Sequence, residues 1–171
     1  MSSNHIALIA VSAVAALSLS ACARPEPAKP AVDAAKVGEA VKADARQLVV
    51  DFNAHDAAKA VAHDAAGEVS IFHGQPNTVG VEADLANTKL QLADPSAKIT
   101  VSSETVDVAA SGDMAVYRAS YVYDFTDPKT KKPGSESGNW LVGYKLVDGV
   151  WKIAWNVVSD TPAAAPAAAA K

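Results

Sequence analysis

Cysteine, bulky aromatics and net charge are all in short supply in this 171-residue chain. A single cysteine, Cys22, excludes a disulfide scaffold and a cysteine-based zinc site. Nine glycines and nine prolines are too few for a collagen-like or Pro/Gly-rich disordered chain. Lys and Arg number 15 against 19 Asp and Glu, for a formal charge of −4, and the basic residues are scattered, which argues against a nucleic-acid partner. Aromatic residues make up 6%, although half of the chain counts as hydrophobic. Alanine closes that gap: it fills 37 positions, so the apolar fraction is largely small filler and overstates the surface the fold can bury. The length suits one domain.

Residues 1–21 contain no Lys, Arg, Asp or Glu, and Ile6 to Leu19 form an apolar run too short to span a bilayer comfortably. That run fits the h-region of an export signal. Its ending, Leu19-Ser20-Ala21-Cys22, resembles the lipobox of bacterial lipoproteins, with one departure: Met1 to His5 lack the usual Lys or Arg. The resemblance implies a signal peptide over 1–21, lipidation of Cys22 and membrane attachment through that lipid. Ala23 stands where an Asp commonly retains such proteins at the inner membrane, which implies the outer membrane, facing the periplasm. Residues 22–32 are Pro-spaced and read as a tether; residues 161–171 are an Ala/Pro tail too poor in bulky side chains to dock. One domain, 33–160, lies between them.

Apolar residues at Ala34, Val37, Val41, Ala45, Leu48 and Phe52 predict a helix over Asp33 to Asn53. A shorter helix is expected from an Asp56 cap through Ala65, stopped by Gly67. A strand Val69–Phe72 runs into the turn at His73 to Asn77, and a third helix, Val81 to Ala93, is expected to bury Leu85 and Leu92 before Asp94-Pro95. Beyond Pro95 the period becomes two. Ile99 and Val101 alternate with polar residues, then Val106 and Val108 resume out of phase, which predicts a bulge near Ser102 to Glu104. The strand from Met114 to Phe125 has one face of Ala115, Tyr117, Ala119, Tyr121 and Tyr123, and another of Val116, Arg118, Ser120 and Val122. Thr126 to Ser137 reads as an exposed loop, followed by strands over Gly138 to Val147 and Val150 to Val158, joined by Asp148-Gly149. Eight of the ten aromatics fall between Tyr117 and Trp155, so the bulky core belongs to the sheet. The pattern is α+β: three N-terminal helices on a strongly curved, mainly antiparallel sheet.

The stretch from Asn53 to His63, with Val69-Ser-Ile-Phe72 and Val79-Gly80-Val-Glu, resembles the opening of the nuclear transport factor 2-like superfamily, SnoaL-like branch. Gly138 to Asp160 resembles that branch's final hairpin. The resemblance implies a cone-shaped, cystatin-like roll, commonly a homodimer packed through its sheet, with a pocket between sheet and helices. The superfamily includes ketosteroid isomerase, polyketide cyclases and scytalone dehydratase, so fold alone does not choose a function. The isomerases' base, tyrosine and protonated acid would fall on Phe72, Leu48 and Val142, none of which transfers a proton.

His55 and His63 are eight apart, not the three or four that lets two helical histidines share an ion, so no metal site and no cofactor are expected. The ligand-binding candidates are His73, Arg118, Ser120, Trp140, Tyr144 and Asn156. His73 is a weak candidate base beside Phe72. The resemblance aims the Arg118 face at the pocket, where a guanidinium would hold an anion; an Arg paired across strands is the alternative. Three functions follow as expectations: non-catalytic binding of a small apolar or amphipathic ligand, a cyclase, dehydratase or hydrolase using His73, or a dimerisation module built on the Tyr117-Tyr121-Tyr123 face.

Overall fold

The computed structural model describes residues 32–161. The expected signal peptide, Cys22, all but the last residue of the tether and the tail from residue 162 fall outside the described residues.

Helix α1 (Ala34–Asn53) starts where Asp33 caps it, the carboxylate accepting from the Lys36 amide at 3.0 Å. Its buried face is Val41, Ala45, Val49 and Phe52, with Val37 and Leu48 partly covered, which is the predicted stripe with Val49 added. At the far end, Asn53 both donates to the Ile99 carbonyl and accepts from the Ile99 amide at 2.8 Å, fastening α1 to the sheet. Helix α2 (Ala57–Ala60), capped by Asp56, is shorter than predicted and passes through a 3-10 turn, Val61–His63. Asp64 is already extended (φ −78°, ψ 149°), so Asp64 to Gly67, expected as helix end, instead open strand β1 (Asp64–Phe72). Sheet pairing of Asp64 with Ile153 overrides alanine's helix propensity here.

Strand β2 (Thr78–Val79), helix α3 (Val81–Leu92) and strands β3 (Lys98–Val108), β4 (Met114–Thr126), β5 (Pro133–Val147) and β6 (Val150–Asp160) complete an α+β fold. The sheet order is β2-β1-β6-β5-β4-β3; β1 runs parallel to β6 and the other neighbours are antiparallel. In α3 the fully buried side chain is Thr88, while Leu85 and Leu92 are half-buried. β5 begins earlier than predicted because Ser135, Glu136 and Ser137, polar as they are, pair with Asp124, Tyr123 and Val122; the loop shrinks to 127–132. The Asp148-Gly149 turn has both residues at positive φ (49° and 81°), as a two-residue hairpin requires.

Register shifts bend the sheet at three places. The predicted bulge lies between Ser102 and Thr105, where Ser103 (φ 56°) turns the chain. Glu104 there accepts from Arg46 Nη2 at 2.7 Å and from the Tyr117 hydroxyl at 2.9 Å, tying α1 to the bend. The second shift follows Gly143, where a Cβ would meet the Trp155 indole at 2.0 Å, so glycine lets that ring cross the strand. The third lies between Asp64 and Val69. The concave face carries Tyr117, Trp140, Val142, Tyr144 and Ile153 against α1, with Tyr117 edge-on to Trp140 at 5.4 Å. Each of these buried large side chains contributes about 1.5–3 kcal/mol.

Candidate ligand cavity

Where α3 and the end of α1 diverge from the bent sheet, a cavity of about 190 Å³ remains. Leu48 and Phe52 of α1, Val61, Phe72, Tyr121, Tyr123, Trp140 and Ile153 give it an apolar, mostly aromatic wall. Asp64, Asp84 and Asn156, with Asn87, Thr88 and Gln91 of α3 and, further round, His73, Gln75 and Glu136, supply its polar groups.

The polar end is built by β1 and α3. Along β1 polar side chains turn inward: Glu68 and Ser70 are fully buried, whereas Ile71 on the opposite face is 39% exposed. Gly80 (φ 85°) starts α3, and its amide bonds to the Glu68 carbonyl at 2.8 Å, which places Asp84, one turn on, beside β1. The Ser70 hydroxyl donates to Glu68 Oε1 at 2.7 Å and accepts from Asn156 Nδ2 at 3.3 Å; Asn156 Oδ1 accepts from the Trp140 indole at 2.7 Å. Asp64 Oδ2 and Glu68 Oε2 are buried without a hydrogen-bond partner. Burial, then the neighbouring charges of Asp84 and Glu68, push the Asp64 carboxyl up to about 8. Burial also pushes Glu68 up to about 7 and raises Asp84. Protonated carboxyls therefore persist to neutral pH, ready to donate a hydrogen bond or give up a proton.

On the opposite wall, Glu136 accepts from the Tyr121 hydroxyl and faces His73 Nε2 at 3.4 Å. Of the six candidates from sequence, His73, Trp140 and Asn156 line the cavity. Arg118 and Ser120 do not: they lie exposed on the other face of β4, where Arg118 Nη2 reaches Asp107 Oδ2 at 2.6 Å. The expectation that this face lines the pocket is corrected, because the tyrosine face takes the apolar side of the sheet and leaves the charged one to water. Tyr144 is buried beneath α1, close to Asp44, and forms core and not cavity wall. The Tyr117-Tyr121-Tyr123 face is likewise interior, so the dimerisation reading loses the surface it was built on. Leu48 and Phe72 are cavity wall and Val142 is core, which leaves those three positions without a transferable proton. Asp64, Glu68 and Asp84 were not foreseen; the signal was the polar burial along β1. Among the described residues, no three His, Cys, Asp or Glu side chains are arranged to hold a metal ion.

No protein-family model matches the chain, and no curated protein does. Solved structures do. A protein described as nuclear transport factor 2-like with a cystatin-like fold, from Novosphingobium aromaticivorans, superposes with a TM-score of 0.56 at 16% identity, over 70% of this chain and 79% of that one. The fold is nuclear transport factor 2-like. A ketosteroid isomerase-like protein from Erwinia carotovora atroseptica shares this nuclear transport factor 2-like fold with a TM-score of 0.61 at 18% identity, over 72% of this chain and 96% of that one. A candidate scytalone dehydratase from Novosphingobium aromaticivorans gives 0.65 at 14% identity, over 72% and 83%. At such identities the nuclear transport factor 2-like frame is shared and the chemistry is not carried across.

Proposed function

We propose that this chain is a lipid-anchored protein of the bacterial cell envelope whose domain holds a small amphipathic molecule in the cavity without converting it. The observation that carries the reading is an apolar cavity that ends in a buried carboxyl oxygen with no partner, Asp64 Oδ2. Unsatisfied buried polar groups cost stability in the empty domain, and a ligand that bonds to them offsets that cost. The Leu19-Ser20-Ala21-Cys22 motif supports attachment through a lipid on Cys22 at the outer membrane, facing the periplasm. The exposed outer sheet face, with Val122 and Leu141, supports a homodimer packed through the sheet.

The test is a panel of small amphipathic compounds offered to the full chain, followed by thermal shift and native mass spectrometry. Saturable stabilisation with the compound recovered unchanged supports the reading; no shift from any member overturns it. Sedimentation as a monomer at high concentration removes the homodimer. A second reading, acid–base catalysis of the cyclase, dehydratase or hydrolase sort, is favoured by one observation: the Asp64 carboxyl, pushed up to about 8, exchanges a proton near neutral pH. In that reading Asp64 and Asp84 take the role expected of His73, and turnover of a panel compound, lost in Asp64→Asn, decides for it.

A further inference from the structure

We infer that the occupant of this cavity is a small organic amine, its ammonium group seated against Asp64 and Asp84 and its apolar body against the aromatic wall. The inference rests on the ligand-binding reading above and names the chemistry of the ligand.

Charge balance comes first. The cavity walls carry Asp64, Asp84 and Glu136 but neither Lys nor Arg, and the one basic side chain, His73, faces Glu136. Behind the wall Glu68 adds a third acid to the Asp64 end; fully buried, it lies on the same face of β1 as Ser70 and Phe72, and its Oε2 is unpartnered. His63, in the 3-10 turn, acts on Asp64 as a cation, but Asp44 and Asp51 of α1 hold both of its ring nitrogens, and Lys152 of β6 is bonded to the Ala62 carbonyl. Tyr144 of β5 also lies within electrostatic reach of Asp64, and it carries no positive charge. Acids packed together in an apolar chamber with no Lys or Arg in its wall ionise together only beside a cation, and once ionised they repel an anion.

An ammonium group matches what is missing. It brings N–H donors to Asp64 Oδ2, which lacks a partner, and to Asp84 beside it, and its positive charge lets the carboxyls ionise without repelling one another. Phe72, Tyr121 and Trp140 offer apolar aromatic area to the rest of the molecule. A volume of about 190 Å³ limits that body to roughly one ring with a short chain.

The test is calorimetric titration of the full chain with three matched probes: 2-phenylethylamine, 2-phenylethanol and phenylacetate. At pH 7.5 the amine is expected to bind at least tenfold tighter than the alcohol, and phenylacetate not at all. Between pH 6 and 8.5 the amine's affinity rises, since the carboxyls ionise while an alkylammonium stays charged, and binding releases protons to the buffer. Asp64→Asn and Asp84→Asn each bring the ratio of amine to alcohol affinity down to about one, and melting temperatures verify that both variants fold. An alcohol bound as tightly as the amine, or a preference that survives both substitutions, overturns the amine while the ligand-binding reading stands. Failure of all three probes, while larger neutral amphipaths bind, does the same. Failure of every compound overturns both.

Discussion

His63 and Asp64 are neighbours in sequence, yet they belong to two acid clusters that solve the same problem in opposite ways. On the α1 side, the His63 ring sits between Asp44 Oδ1 at 2.8 Å and Asp51 Oδ2 at 3.3 Å, and Gln47 steadies Asp51 at 3.0 Å. The hydrogen bond to Asp44 is the chief reason the imidazole's pKa is raised, so a cation answers the two carboxylates and α1 is clamped to the 3-10 turn. On the cavity side no cation is hydrogen-bonded to Asp64, Glu68 or Asp84; burial raises all three, and protons held by Asp64, up to about 8, and Glu68, up to about 7, limit their repulsion. A buried acid is tolerated either by pairing or by protonation. Pairing holds elements together, whereas protonation leaves a group free to meet something else.

The sharpest way to break this contrast is His63→Ala. It strands Asp44 and Asp51 together, and the expected loss is about 2–3 kcal/mol at pH 7, a fall in melting temperature of roughly 10 °C. Thermal denaturation checks it, and a loss no larger than that of a surface variant would dissolve the contrast. Asp64→Asn is expected to act in the other direction, stabilising the empty domain by about 1–2 kcal/mol at pH 8.5 and by nothing near pH 3, where folded and unfolded carboxyls are both protonated. Urea melts at the two pH values read this.

Smaller still is the pH slope of the wild type. A carboxyl whose pKa is raised on folding contributes stability that is full below its unfolded value and lost as pH rises, so Asp64 and Glu68 make the domain weaken between about pH 4 and 8. His63 has the same sign but a later window, full below 6.5 and lost above it. Melting curves of Asp64→Asn/Glu68→Gln should fall less steeply than the wild type between about pH 4 and 8, with the remaining slope supplied by Asp84, whose carboxyl is also raised, and above 6.5 by His63. The smallest effect is Arg118→Ala: its pair with Asp107 is exposed on both sides, and the melting temperature should not change measurably.

The fold was readable where local pattern and tertiary role coincide. The stripe of α1, the bulge before Thr105, the Asp148-Gly149 turn and the tyrosine face of β4 all follow from spacing. Reading failed where distant pairing decides. Asp64 joins a strand because Ile153, 89 positions later in the numbering, pairs with it. Asp84 sits in the first turn of α3, where an acid ordinarily just complements the helix dipole, and so attracts no notice. Val69 and Ile71 look like the core side of β1, yet Glu68 and Ser70 are the residues that turn inward. Such a conflict between local pattern and packing marks functional positions more reliably than any spacing of histidines.

The parallel contact between β1 and β6 also sets an order of events. β1 cannot complete its pairing until the last strand arrives, and Ser70 waits for Asn156 across 86 residues of chain. Helix α1 and the β3–β4–β5 hairpins need only nearer contacts and are free to form first. The chamber is therefore the last part of the domain to close, and a chain that stops between β5 and β6 lacks the strand that joins β1 to the rest of the sheet.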